Sequence, residues 1–140
     1  MILVDTREQR PLDFGSSETR RIALRSGDYS VAGLVDKVSI ERKSLVDLFD
    51  CVGWERPRFE RELMKLAALR YGALVIEATL AEILDGAPYS KVNPNAVVGS
   101  LLAWSVRWRL PIFFCGNRRL AAVVVQKLLA RCAAGRFGDR

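Results

Sequence analysis

The sequence predicts an α/β domain with one mixed central sheet flanked by helices. Three observations carry this reading. Short runs with the two-residue period of strands alternate with longer stretches whose apolar residues recur at helical spacing. Two runs, residues 73–78 and 112–115, are apolar almost throughout, as strands covered on both faces are. Half of the 140 residues are hydrophobic, enough for one ordinary core and too many for a disordered chain.

The elements follow in order. Residues 2–5 (Ile-Leu-Val-Asp) form a buried-type strand, and residues 10–17, opening on Arg10-Pro11, form a loop. Residues 19–24 are a second strand. Ser26-Gly27 signals a turn, after which Asp28-Tyr29-Ser30-Val31 starts a third strand. Ala32-Gly33-Leu34 permits a tight connection into a fourth, residues 35–42, where Val38 and Ile40 alternate with Lys37 and Ser39. Ser44 is a helix N-cap and begins a short helix to Cys51. The segment 52–57 breaks the pattern. Pro57 opens a helix to Arg70, with Phe59, Leu63, Leu66 and Leu69 at helical spacing. Gly72 ends it, and residues 73–78 are a central strand. Thr79 caps a short helix to Leu84. Residues 86–91 are a loop. Asn93 caps and Pro94 opens a long helix to Arg109, stopped by Pro111. Residues 112–115 are a further strand, and Asn117 begins a last helix to about Ala134. The organisation is therefore one domain over residues 1–135, with a frayed tail at 136–140. Repeats, linkers and low-complexity tracts are absent.

Composition narrows the chemistry. The chain has no histidine, which excludes Ser-His-Asp hydrolysis and His-Asn-His nuclease chemistry and argues against structural zinc. Cys51, Cys115 and Cys132 are odd in number and far apart, so they read as buried or free thiols in a reducing compartment. Neither a signal peptide nor a membrane span is predicted, and the expected location is intracellular: cytoplasm or nucleoid in a bacterium, nucleus in a eukaryote. The net charge is +6, and most of the excess lies after residue 70. Basic faces attract polyanions, and Lys91, Arg107, Arg109, Arg118, Arg119, Lys127 and Arg131 could contact phosphates or simply be an ordinary basic surface.

The informative motif is Gly27-Asp28, twelve intervening residues, then Glu41-Arg42-Lys43, and after three more residues Asp47. On a strand, residues i and i+2 share a face, so Glu41 and Lys43 point one way and Arg42 the other. A hairpin of the third and fourth strands brings Asp28 beside Glu41. Carboxylates of this kind suit Mg²⁺ or Mn²⁺. A metal so held can activate water, and Lys43 can offset charge on a phosphate. The bland alternatives are a turn-capping Asp28, a solvated strand end at Glu41–Lys43, and an Asp47 that only completes a capping box with Ser44.

Together with Ile2-Leu3-Val4-Asp5-Thr6-Arg7-Glu8 and Gly27-Asp28-Tyr29, this motif closely resembles the XPF-type structure-specific endonuclease domain. That family belongs to the PD-(D/E)XK, restriction-endonuclease-like class. The resemblance spans nearly the whole chain and implies a restriction-endonuclease-like mixed sheet. By position it implies that Asp28 and Glu41 hold the metal and that Lys43 is the catalytic lysine. Arg42 and Asp47 match the remaining positions of the catalytic motif. Asp5 and Glu8 match first-strand acids that assist the metal site, and Arg7 matches an arginine that assists substrate binding; Tyr29 supports the site. A salt-bridge cluster of Asp5 and Glu8 with Arg7 and Arg10 is the other reading. Glu77, after the apolar run 74–76, reads as a solvated strand end.

The implied function is Mg²⁺- or Mn²⁺-dependent DNA endonuclease activity, near branched, flap or fork DNA, in repair or recombination. Two alternatives stand beside it: a non-catalytic DNA-binding or scaffolding partner of another nuclease, and a restriction- or phage-type nuclease acting on ordinary duplex. Trp54, Arg56 and Arg58 occupy a loop just after the site helix and could lie against DNA, although Trp54 could equally plug the core. The last two long helices are apolar on more than one face, through Val97, Val98, Leu101, Leu102, Trp104, Val106 and Trp108, then Leu120, Val123, Val124, Val125 and Leu128. Relatives pair through these C-terminal elements, so a homodimer is expected, with Leu101 and Trp104 in its interface or in the core. Many relatives also carry a tandem helix-hairpin-helix module, of which this sequence gives no sign. Weak, salt-dependent binding to plain duplex is the corresponding expectation.

Overall fold

The structure, a computed structural model, describes residues 1–137. Its elements in chain order are β1 (Ile2–Asp5), β2 (Thr19–Ile22), β3 (Tyr29–Val31), β4 (Val38–Lys43), α1 (Leu45–Val52), α2 (Arg56–Ala67), β5 (Tyr71–Ile76), α3 (Leu80–Asp85), α4 (Pro94–Trp108), β6 (Ile112–Phe114) and α5 (Arg118–Ala133). The six strands form one sheet in the order β2-β1-β3-β4-β5-β6. β1 runs parallel to β2 and antiparallel to β3, β3 pairs antiparallel with β4, and β4, β5 and β6 run parallel. This is the mixed sheet the alternation of patterns predicts.

Period-two alternation sorts the strands' side chains into two cores. On one face Val4, Tyr29, Val38, Ile40 and Val75 pack under α5 through Ala122, Val125 and Leu129. On the other, Leu74 and Ile76 pack under α1, α2 and α4 with Leu48, Phe59, Leu63, Leu101 and Trp104. β5 supplies both cores, which is why its run is apolar throughout. The parity of β4 matters most. Val38 and Ile40 face α5, so Arg42 does too, while Glu41 and Lys43 face α1 and α2.

Two glycines fix the frame. Gly27 has φ +73°, and a β-carbon there would stand 2.0 Å from Ser39 Oγ. Only glycine lets the chain turn into β3 that close to β4. A β-carbon on Gly72 would meet the Leu66 carbonyl at 2.1 Å, where the end of α2 presses on β5.

Some boundaries differ from the sequence reading. β4 begins at Val38, not residue 35, because the Leu34 carbonyl accepts the amides of both Lys37 and Val38 and holds residues 34–37 in a turn. β5 begins at Tyr71, whose amide donates to the Lys37 carbonyl, so α2 stops earlier than Arg70. Of the expected frayed tail, Phe137 packs against the α5-side core with the Arg70 guanidinium 5.2 Å from its ring centre. Residues 138–140 lie outside the described residues. All three cysteines are buried and unpaired. Among the described residues no helix is long and apolar enough to cross a membrane.

Candidate active site

The β3–β4 hairpin sets the site. Tyr29 stands opposite Ile40, and the Asp28 amide donates to the Ile40 carbonyl at 2.9 Å, so Asp28 lies across from Glu41 as the motif spacing requires. Asp28 Oδ2 accepts the Arg42 amide at 2.8 Å, which locks the carboxyl to the strand end. The Glu41 and Asp28 carboxyls lie side by side and act on each other directly. Burial first, then the Asp28 charge, pushes Glu41 well above the ordinary carboxyl range, and burial raises Asp28 as well. Lys43 Nζ stands 3.8 Å from Glu41 Oε1 and 5.6 Å from the centre of the Phe59 ring. Burial alone would lower its pKa, but the neighbouring carboxyls outweigh it and the ammonium stays charged.

These groups open into a pocket of about 190 Å³. Asp5, Arg7, Asp28, Glu41 and Lys43 line it from the sheet, and Cys51, Glu55, Arg58, Phe59 and Glu62 line it from α1 and α2. Reading the motif alone misses the helical wall. A signal existed: Glu55, Arg58, Phe59 and Glu62 are spaced three to four residues apart and share one helix face.

The chemistry of the donors fits a hard divalent cation. Two buried carboxyls held side by side, both raised by burial, are an arrangement that a bound cation would relieve. Among the described residues no group of three His, Cys, Asp or Glu side chains converges as a complete metal cluster. Mg²⁺ tolerates this, since it keeps several waters and takes one or two carboxylates plus substrate phosphates.

Several expected residues fall elsewhere. Asp5 lines the pocket, but Oδ1 accepts the Leu24 amide at 2.8 Å and Oδ2 accepts Arg7 Nε at 2.7 Å. These hydrogen bonds outweigh burial and hold its carboxyl below the usual range, so Asp5 stands at the pocket as a charged carboxylate already bound to protein donors. Glu8 is on the opposite side of the sheet. It accepts the Tyr29 hydroxyl at 2.6 Å and Arg42 Nε at 3.1 Å. Arg42 also donates to Glu77, which pairs with Arg118 at 3.5 Å. The side chains of Arg42 and Glu77 are only 11% and 8% exposed, so Glu77 is not the solvated strand end its position suggested. Arg42 and Tyr29 thus brace β1, β3, β4, β5 and α5 from behind the site. The cluster forms around Arg42 because the period of β4 turns it away from Glu41, and Arg10 is not Glu8's partner. Asp47 is exposed and lines a second cleft with Arg42, Ser44 and Glu77, and its charge reaches Lys43 and helps hold the ammonium. Its amide donates to Ser44 Oγ at 3.2 Å, the capping contact.

The Trp54 loop divides. Trp54 is 80% exposed and does not plug the core. Arg56 turns inward: it lies 4.8 Å over the Trp104 ring and donates to Ser100 Oγ at 2.8 Å, so it is a packing residue rather than an outward DNA contact. Arg58 and Arg7 remain largely exposed at the pocket.

A mixed sheet with an acid–acid–lysine set at the end of a hairpin defines a restriction-endonuclease-like domain. The model of the ERCC4 domain family matches residues 4–128, and the chain belongs to that family, as an XPF-type nuclease domain. It is similar in fold to XPF from Aeropyrum pernix, at 17% identity and a TM-score of 0.77, covering 99% of this chain and 65% of that one. It is also similar to XPF from Aeropyrum pernix in complex with DNA, at 19% identity and a TM-score of 0.76, covering 99% of this chain and 67% of that one. This chain therefore spans about two thirds of the length of those structures. No curated protein matches it in sequence.

Proposed function

We propose that this domain hydrolyses phosphodiester bonds in DNA with Mg²⁺ or Mn²⁺, acting near branched, flap or fork structures in repair or recombination. The observation that carries the proposal is the Asp28–Glu41 carboxyl pair with the charged Lys43 beside it, in an open pocket of a nuclease-family fold. The DNA complex of XPF from Aeropyrum pernix supports DNA as the substrate.

In this reading Asp28 and Glu41 hold the ion through one or both carboxylates. When bound, it would polarise the phosphate and ease ionisation of a water. Asp28 is oriented by the Arg42 amide, and Lys43 places its ammonium where charge grows on the phosphate. Glu41 and the Phe59 ring keep that ammonium in place. Arg7 and Arg58, exposed at the pocket, engage flanking phosphates. Asp47, in the neighbouring cleft, acts through the α1 N-terminus rather than on the metal.

A second reading is a non-catalytic DNA-binding partner of another nuclease, favoured by the want of a third converging ligand among the described residues. One experiment separates the two. Flap, fork and linear DNA are incubated with Mn²⁺ and the wild-type, Asp28→Asn, Glu41→Gln or Lys43→Ala protein. The nuclease reading expects cleavage by the wild type, none by the two carboxyl variants, and a large loss of rate for Lys43→Ala. Normal turnover by Asp28→Asn would sink it. We further propose a homodimer formed through the C-terminal elements, argued below at the scale of the whole molecule.

A further inference from the structure

Among the described residues Trp54 is a large apolar side chain left 80% exposed. A tryptophan seldom leaves most of its surface in water, because burying it is worth more than almost any other side chain. The other two tryptophans, Trp104 and Trp108, stack on each other with ring centroids 6.5 Å apart. Trp54 instead points into solvent from the α1–α2 connection, directly before the α2 N-cap Glu55 and close before Arg58, both of which wall the catalytic pocket.

A second exposed aromatic stands on the loop that adjoins it. Val92 Cγ2 lies 3.0 Å from where a β-carbon on Gly53 would be, so the connection carrying Trp54 abuts the α3–α4 loop. That loop presents Tyr89, fully exposed and held at φ +61°, a backbone conformation a tyrosine seldom adopts. Basic residues follow both rings closely in the chain: Arg58 after Trp54 and Lys91 after Tyr89, both exposed. Exposed aromatics with cations around them are the elements by which proteins hold unpaired strands. Each ring stacks on a base whatever its identity, and the cations follow the backbone. Paired bases are already stacked and offer no face to such rings.

We infer that Trp54 and Tyr89 form a stacking platform for unpaired bases of a single strand leading into the catalytic pocket. The inference rests on the nuclease reading and adds to it the feature that selects the substrate. A strand that leaves the duplex beside the scissile phosphate gains stacking, and a linear duplex does not.

The test uses the full chain carrying Lys43→Ala, so that DNA is bound without being cut. Fork DNA has 2-aminopurine placed in turn at each of the first unpaired positions of either arm, and an equal-length linear duplex serves as reference. The expected result is quenched 2-aminopurine fluorescence at one or two unpaired positions on binding. Trp54→Ala or Tyr89→Ala should relieve the quenching and lower the ratio of fork to duplex affinity about tenfold. Trp54→Phe should retain most of both. Thermal melting checks that the variants stay folded. Unquenched fluorescence with the parent protein bound to the fork, or an unchanged affinity ratio in both alanine variants, overturns the platform and leaves the nuclease reading standing. A change in oligomeric state with unaltered fork binding also overturns it, in favour of a protein contact. Failure of the parent protein to bind any of the DNAs overturns both readings.

Discussion

The pair Asp28 and Glu41 is held against its own electrostatics. Burial and the neighbouring carboxyl raise the pKa of Glu41, so in the metal-free protein it keeps a proton that the unfolded chain gives up near the ordinary carboxyl range. Between those two values the folded state binds more protons than the unfolded one, and stability falls as pH rises. Glu41→Gln removes that cost while keeping the side chain's size. In chelator at neutral pH the variant is expected to melt higher than the wild type, and its stability should depend less on pH above the ordinary carboxyl range. Added Mn²⁺ should raise the melting temperature of the wild type and not that of Glu41→Gln. A variant that melts lower in chelator, or that still gains stability from Mn²⁺, would remove Glu41 from the ligand set. Asp5 behaves in the opposite sense. Its lowered pKa means that its bonds to Leu24 and Arg7 stabilise the fold at neutral pH and are lost only as pH falls through that lowered value.

At the scale of elements, the site depends on one turn. Gly27 brings β3 in against β4, and the register Tyr29–Ile40 then sets Asp28 across from Glu41. Gly27→Ala must hold a left-handed φ and push Ser39 aside, so it should destabilise the domain by about 1–3 kcal/mol. Urea unfolding measures this, and the stabilisation by Mn²⁺ should weaken in parallel as Asp28 shifts. A stable variant with full metal response would mean that the turn does not place the carboxyl. Most of this hairpin was legible in the sequence, because the period of two assigns Glu41, Arg42 and Lys43 to faces without further information. The mixed sheet was legible for the same reason. What local pattern cannot give is which distant residue meets an outward face. Glu8 follows β1 and Arg42 is the last residue but one of β4, and nothing in either segment announces their ion pair or its extension to Glu77 and Arg118. The Arg56 side chain was misread on the same ground, since its stacking on Trp104 depends on how α2 crosses α4. The start of β4 lies later than the sequence suggests, because a β-branched Val35 favours a strand while the Leu34 carbonyl holds the backbone in a turn.

For the whole molecule, the apolar surplus on α4 and α5 resolves into two populations. Leu101 and Trp104, like Val125 and Leu129, are buried in the two cores. Leu102 and Val106, one turn apart on α4, face solvent, and so do Leu120 and Val123 on α5. β6, one of the two edge strands of the sheet, joins α4 to α5 in the chain, with Phe114 partly exposed at its end. Apolar stripes left on two helices are costly to keep in water, and a second copy presenting the same residues would cover them. The proposed homodimer therefore uses the outer faces of α4 and α5, not Leu101 or Trp104. Val106→Glu, at a position 82% exposed in the single chain, should give a folded monomer. Trp104→Glu should unfold the domain, because it would bury an unpaired charge. Light scattering and thermal melting of the three proteins decide it. A wild-type chain that stays monomeric at high concentration, or a Val106→Glu variant that still dimerises, would show that this surface serves another purpose.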